Sequence, residues 1–267
     1  MQGQFGYADS MEICDADGIE ICDAGREYPC VLPAGDSAVL IQFGDALDFT
    51  VNAAVLEFDS HLTQVGLEGV TEVSPALVSL LVRFDPLSCN YHDLNVQLRQ
   101  LLDSKNWLLK PEIKNPVRWK VPVLYGAEAG SDLGEVANML GLSEAHAIEE
   151  HSASILRVLT LGFAPGCCYL GLLPDNWNLP RLKVINPHVP AGAILVAVRQ
   201  TVMPSAAMPT GWRCIGQTPF NNFNAAKSLP VEIKHGDEVQ YTVVSESEFK
   251  QLQSQQADGK PVIERVV

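Results

Sequence analysis

The chain has 267 residues, 47% of them hydrophobic and 19% charged, with a formal net charge of −14. That is enough material for one large core or two modest ones, and the negative balance argues against nucleic acid or an anionic membrane as partner. The longest apolar runs, such as AGAILVAV at 191–198, are too short to cross a bilayer, and the acidic start lacks a basic leader ahead of an apolar stretch, so a cytoplasmic location is expected.

Residues 1–30 read as an acidic N-terminal arm in which EICDA occurs twice, at 12–16 and 20–24. A first unit is expected over 31–115. SAVLIQFG (37–44) reads as a strand. Val51, Val55, Phe58, Leu62 and Val65 then recur at three- and four-residue intervals, which predicts a helix. GVTEVSPAL (69–77) and SLLVRFDP (79–86) read as two strands, and Leu94, Leu98 and Leu101 mark a second amphipathic helix. Strand, helix, strand, strand, helix, with one later strand, is the ferredoxin-like α+β pattern.

A second unit is expected over 116–250. VRWKVPVLYG (117–126) opens it as a strand, followed by a helix near 131–140 that Gly141 stops and a helix that Ser143 caps. After His151 come short β runs: ILRVLTLGF, GAILVAVRQT, WRCIGQTPF, PVEIKHG and EVQYTVVS. This spacing predicts an antiparallel barrel or sandwich, with 251–267 as a polar C-terminal tail in which KPVIERVV can add a strand.

Seven cysteines, at 14, 22, 30, 89, 167, 168 and 214, make an odd number in a chain of this size, which favours reduced thiols over a disulfide framework. No C-x-x-C, H-x3-H or H-E-x-x-H occurs, so no metal site is predicted. Charge is unevenly spread. From Ser152 to Val231 the only acid is Asp175, against Arg157, Arg181, Lys183, Arg199, Arg213 and Lys227. Such a window suits a site for a small anion or a β domain with little room for acids.

Within it, LGFAPGCCYLGLLP (161–174) combines three glycines, two prolines and two adjacent cysteines with an apolar background. Gly166 and its neighbours permit close backbone approach, and freed N–H groups there can cradle an oxyanion. Cys167 and Cys168 read as packing residues. His151 closes a predicted helix. It is either an anion holder and proton shuttle, favoured by the helix C-terminus, or a core histidine satisfied by a backbone carbonyl. Arg199, Gln200 and Thr201 end an apolar strand, with groups suited to a planar amide or carboxylate. Tyr169 either aims its hydroxyl into the same cleft or packs in the core.

The ordered set GFAPGCCYLGLL, LPRLK, VPAGA, AVRQT, MPTGW and IGQTP resembles the KipI family, which includes allophanate hydrolase subunit 1 and the B-type subunit of bacterial 5-oxoprolinase. GDSAVLIQFG, SLLVRFDP and VPVLYGAEAGSDLGEVANMLGLS extend the likeness over about residues 31–249. The resemblance implies a ferredoxin-like N-terminal domain followed by a cyclophilin-like antiparallel β-barrel. It also implies a KipA-like or allophanate hydrolase subunit 2-like partner that builds the other half of a shared site. ATP with magnesium is implied only in that complex, with no tightly bound cofactor in this chain. His151, Arg199 and Gln200 are the candidate catalytic residues; Thr201, Arg181, Gly166 and Tyr169 are the candidate binding residues for a small anionic or amide substrate. The expectation is that the glycine ribbon and the arginine-bearing strand face each other across a barrel opening. Inhibition of a histidine kinase and a carboxyltransferase role are the alternative functions of the family. Leu172, Leu182, Asn186, Val202 to Ser205, Thr210 and Gln217 depart from the family pattern.

Overall fold

The structure, a computed structural model, describes residues 27–266. The doubled EICDA tract, with Cys14 and Cys22, lies outside the described residues. The chain divides into two compact units. One runs through Ser74 and takes in Val78–Lys110; the other holds Pro75–Leu77 and the chain from Pro111 onward.

The first unit contains β1 (Cys30–Pro33), β2 (Ala38–Gln42), α1 (Phe49–Val65), β3 (Val70–Pro75), β4 (Ser79–Phe84) and α2 (Tyr91–Asp103). Helix α1 starts where the Asp48 carboxylate accepts the Thr50 and Val51 N–H groups, and stops at Gly66 in the left-handed region. Its face of Val55, Phe58 and Leu62 packs with Val39 and Ile41 of the sheet and Leu94 and Leu98 of α2 in one core. The sheet order is β1-β2-β4-β3. The expected later strand is not where the ferredoxin-like pattern puts it: among the described residues none follows α2 in this unit. The edge beside β2 is taken instead by β1, from before the first helix. β1 has only four residues and ends in proline, which an edge strand tolerates and which gives little periodic signal.

The second unit contains β5 (Arg118–Tyr125), α3 (Leu133–Leu140), α4 (Glu144–Ala153), β6 (Ile155–Leu161), β7 (Cys168–Gly171), a 3-10 turn (Asp175–Trp177) and β8 (Asn186–Val189). It continues with β9 (Ala193–Ala197), β10 (Gln200–Met203), β11 (Met208–Thr210), β12 (Arg213–Gln217), β13 (Glu238–Val243), α5 (Glu246–Ala257) and β14 (Glu264–Arg265). Gly141 ends α3 and the Ser143 hydroxyl caps α4, as the sequence indicates. Strands β12, β9, β10, β7, β6, β13 and β5 hydrogen-bond in that order, and β5 pairs back onto β12, closing a seven-stranded barrel. Closure leaves no free edge among these strands.

The pairing overturns three expectations. The barrel is not wholly antiparallel: β13 runs parallel to β5 from Glu238↔Arg118 to Val243↔Val123. The run 192–201 is not one strand but two, β9 and β10, reversed at Val198–Arg199. PVEIKHG forms no strand, only an isolated bridge of Val231 to Phe223. The C-terminal region is also more ordered than a tail. Ser245 and Glu248 form a reciprocal capping box that starts α5, and β14 pairs with β5.

One glycine of VPAGA has a clear steric reason. Gly192 has φ +77, and a Cβ there would sit 2.3 Å from the Thr218 carbonyl oxygen, so a side chain is excluded where the chain enters β9.

Candidate functional site

Strand alternation sorts the candidate residues onto two faces. Ile194 and Val196 of β9, Met203 of β10 and Cys168 and Leu170 of β7 belong to the main core, with Tyr125, Trp177 and Tyr241. The intervening Ala193, Leu195, Ala197 and Val202 belong to a second cluster with Cys167, Trp212 and Cys214.

His151 lies with the main core, fully buried in the last turn of α4. Its Nδ1 meets the Tyr125 hydroxyl at 2.8 Å and its Nε2 meets Thr201 Oγ1 at 2.9 Å. Its ring stacks on Tyr241 at 5.1 Å between centroids and packs against Trp177 at 5.5 Å. Burial pushes the imidazole pKa down to about 3. The ring is therefore neutral at pH 7, with one nitrogen donating to one hydroxyl and the other accepting from its counterpart. The protonated anion holder expected at a helix C-terminus is overturned: desolvation outweighs the roughly 1 kcal/mol a helix end offers a cation. The imidazole also bonds two hydroxyls rather than a backbone carbonyl.

Arg199 sits in the β9–β10 turn. Val198 (φ 43) and Arg199 (φ 62) both occupy the left-handed region, the pattern of a two-residue hairpin turn that normally selects Asn-Gly. A β-branched residue there is costly, on the order of 1–3 kcal/mol, and persists only when its surroundings over-determine it. They do. Val198 N–H donates to Leu179 O, Arg199 N–H to Trp177 O, and Arg199 O accepts from Leu173 N–H. The guanidinium is fixed as well: Nε donates to Leu173 O at 2.9 Å and one terminal nitrogen pairs with Asp175 Oδ1 at 2.7 Å. The lone acid of the acid-poor window thus neutralises one of its arginines.

Gln200 and Thr201 follow the turn as the start of β10. Thr201 faces His151. Gln200 lies opposite Gly171, its Cγ 3.5 Å from where a glycine Cβ would be. Gln200 is buried, and its Oε1 has no hydrogen-bond partner.

Tyr169 and Arg181 lie with the second cluster. Tyr169 meets Trp212 edge-on at 6.1 Å, and the Arg181 guanidinium lies over the same indole at 5.4 Å. Gly166 has φ +73 and packs against Asn222 and Phe223, where a Cβ would come within 2.9 Å of the Phe223 Cβ. Within the turn Cys167 N–H donates to Ala164 O, and Gly166 O accepts from the Asn222 side-chain amide.

The expected cleft is thus redrawn. The glycine ribbon and the RQT strand do not face each other across an opening; β7 and β10 are hydrogen-bonded neighbours, with Gln200↔Gly171 and Thr201↔Leu170 in register. Arg199, Gln200 and Thr201 stay together, and Thr201 joins His151. Among the described residues no hydrogen bond, ion pair or ring contact links Arg181 to either. Burial pushes the Cys167 thiol up to about 11 and Cys168 higher still, consistent with packing roles. Tyr125, Trp177 and Asn222 belong to the site region without any local signal in the sequence, because their partners come from distant strands. Arg213, which reads in sequence only as a charge, bonds Glu135 and Pro180 O through its guanidinium.

The geometry defines a class: an α+β chain whose second unit is a closed barrel carrying a braced arginine turn. Residues 29–232 match the family described as carboxyltransferase domain, subdomain C and D. The chain is 31% identical over 227 residues to the B-type 5-oxoprolinase subunit of Bacillus subtilis, covering 80% of this chain and 92% of that one. It is 39% identical over 122 residues to the Escherichia coli O157:H7 protein of the same name, covering 46% and 56%. Among solved structures, TTHA0988 superposes with a TM-score of 0.67 at 28% identity over 78% of this chain but 40% of that one. The urea amidolyase of Kluyveromyces lactis, at 16% identity and a TM-score of 0.69, covers 95% of this chain and 18% of its own, and shares the fold alone. The chain belongs to the carboxyltransferase subdomain C and D family, that of KipI and the B-type 5-oxoprolinase subunits. No helix among the described residues is long and apolar enough to cross a membrane.

Proposed function

We propose that this chain is one component of an ATP-dependent amide- or lactam-hydrolysing complex of the 5-oxoprolinase type, acting with a KipA-like second chain. The observation that carries the reading is the braced Val198–Arg199 turn. A strained backbone held by three neighbouring hydrogen bonds presents one part-exposed guanidinium, a group suited to a substrate carboxylate. The likeness to a named 5-oxoprolinase subunit over most of both chains supports it.

In this reading ATP, with magnesium, is a substrate of the complex. Its γ-phosphoryl passes to the amide oxygen with loss of ADP; water then adds to the activated carbon and the C–N bond breaks, freeing the amine and leaving an acyl phosphate, which a second water hydrolyses to carboxylate and phosphate. Arg199 offsets the negative charge. His151, neutral and enclosed, positions Thr201 and packs beneath Trp177, whose carbonyl holds the turn. The phosphate-binding part is assigned to the second chain. Asp175 is 91% exposed, so its pair with Arg199 is worth only about 0–1 kcal/mol and yields to a substrate carboxylate.

Arg199→Ala is expected to lower 5-oxoproline-dependent ATP turnover of the complex by about 100-fold. Asp175→Asn, which removes the competing carboxylate, is expected to keep kcat and lower KM. Full activity in Arg199→Ala would remove the proposed role. A complex without turnover, whose barrel chain instead blocks autophosphorylation of a histidine kinase, would replace the reading.

A further inference from the structure

We propose that Arg181 to Ile185, with Arg181 stacked on Trp212, forms the surface on which the second chain docks; this rests on the reading that the protein works in a complex. Three features of the segment converge. Val184 and Ile185 are adjacent β-branched residues exposed at 81% and 65%. Two large apolar side chains side by side in water mark a surface that loses free energy when covered. Arg181 and Lys183 precede them in the chain, and among the described residues neither has a carboxylate within ion-pair distance. The nearby acids are committed: Asp175 pairs with Arg199, and Glu135 pairs with Arg213, which also bonds Pro180 O beside Arg181.

The third feature is preorganisation. The Arg181 guanidinium lies over the Trp212 ring, and Tyr169 supports that ring edge-on. Leu182 N–H donates to Gly211 O at 2.6 Å, tying the backbone between the two cations. An arginine already stacked loses less rotamer entropy on binding, and buried aromatic and arginine anchors dominate interface energetics. The occupant is therefore a chain with an apolar recess rimmed by carboxylates. An acidic partner opposite a basic, acid-free segment gains electrostatic complementarity, although this chain is itself strongly negative.

The test measures affinity of the full chain for a purified KipA-like second chain. Arg181→Glu and Ile185→Asp change exposed side chains, and unchanged melting temperatures establish that both fold. Each is expected to weaken binding about tenfold or more, while Leu87→Asp, at a 97% exposed position in the other unit, leaves it unchanged. Raised salt weakens the wild type more than Arg181→Glu. Wild-type binding with unchanged affinity in both variants would overturn this surface and leave the functional reading standing. No binding by the wild type would overturn both.

Discussion

Asn222→Leu is expected to destabilise the barrel unit by about 4 kcal/mol, read as a lower urea midpoint at unchanged slope. Asn222 is buried, and its amide joins three segments. Nδ2 donates to Gly166 O at 3.1 Å and to Ile233 O at 3.0 Å, and Oδ1 accepts from Ile233 N–H at 2.7 Å. Leucine keeps the volume but leaves the Ile233 N–H and carbonyl without the amide and Gly166 O with only the weak Cys168 thiol donor, each lost partner costing about 1–3 kcal/mol. The loss falls on the glycine ribbon, because Gly166 is held in its left-handed conformation by this contact. A loss under about 1 kcal/mol would mean that water replaces the amide and that the side chain is not the clamp described.

The second large effect is a fall in stability with acid that His151 causes. The folded imidazole has a pKa of about 3 against the ordinary 6.5, because burial opposes its charged form. Below pH 6.5 the unfolded chain therefore binds a proton that the folded chain refuses. The sign follows: stability is level above pH 6.5, falls as pH drops from 6.5 toward 3, and levels below that. At about 1.36 kcal/mol per pKa unit the whole window is on the order of 5 kcal/mol for His151 alone. His235 acts in the same direction, since it is held at about 4 by burial and its Nε2 accepts the Leu161 N–H. Urea midpoints of wild type and His151→Gln from pH 7.5 to 4 test this. The variant, less stable at neutral pH, is expected to lose less on acidification because glutamine cannot protonate. Parallel curves would show that the acid sensitivity lies elsewhere.

These effects arise from residues with different visibility in sequence. Helix α1 is plain from Val51, Val55, Phe58 and Leu62, because a local period of three and four is set by the helix itself. The stop at Gly141 and the cap at Ser143 are equally local. The turn at Val198–Arg199 is invisible, because valine and arginine are poor residues for two left-handed positions. Hydrogen bonds with Leu173, Trp177 and Leu179 hold it. The same holds for β7, whose Cys168 and Gly171 give no strand signal until β6 and β10 pair with it on either side.

The site follows this division. The motif residues Arg199, Gln200 and Thr201 stand out by their chemistry, and they do sit together. That His151 joins Thr201 while Arg181 joins Trp212 depends on strand alternation and register, which no single segment encodes. The charge state of His151 is hidden for the same reason: a helix end is a local feature, while desolvation comes from Tyr125, Trp177, Tyr241 and Thr201 brought from four separate places. The amino-acid sequence alone determined the family, the helices α1 to α4 and the residues with reactive groups, since these rest on motifs and short-range periodicity. Tertiary structure decided which of those residues meet, which are charged and where the chain reverses, since pairing across distant strands sets both burial and contact.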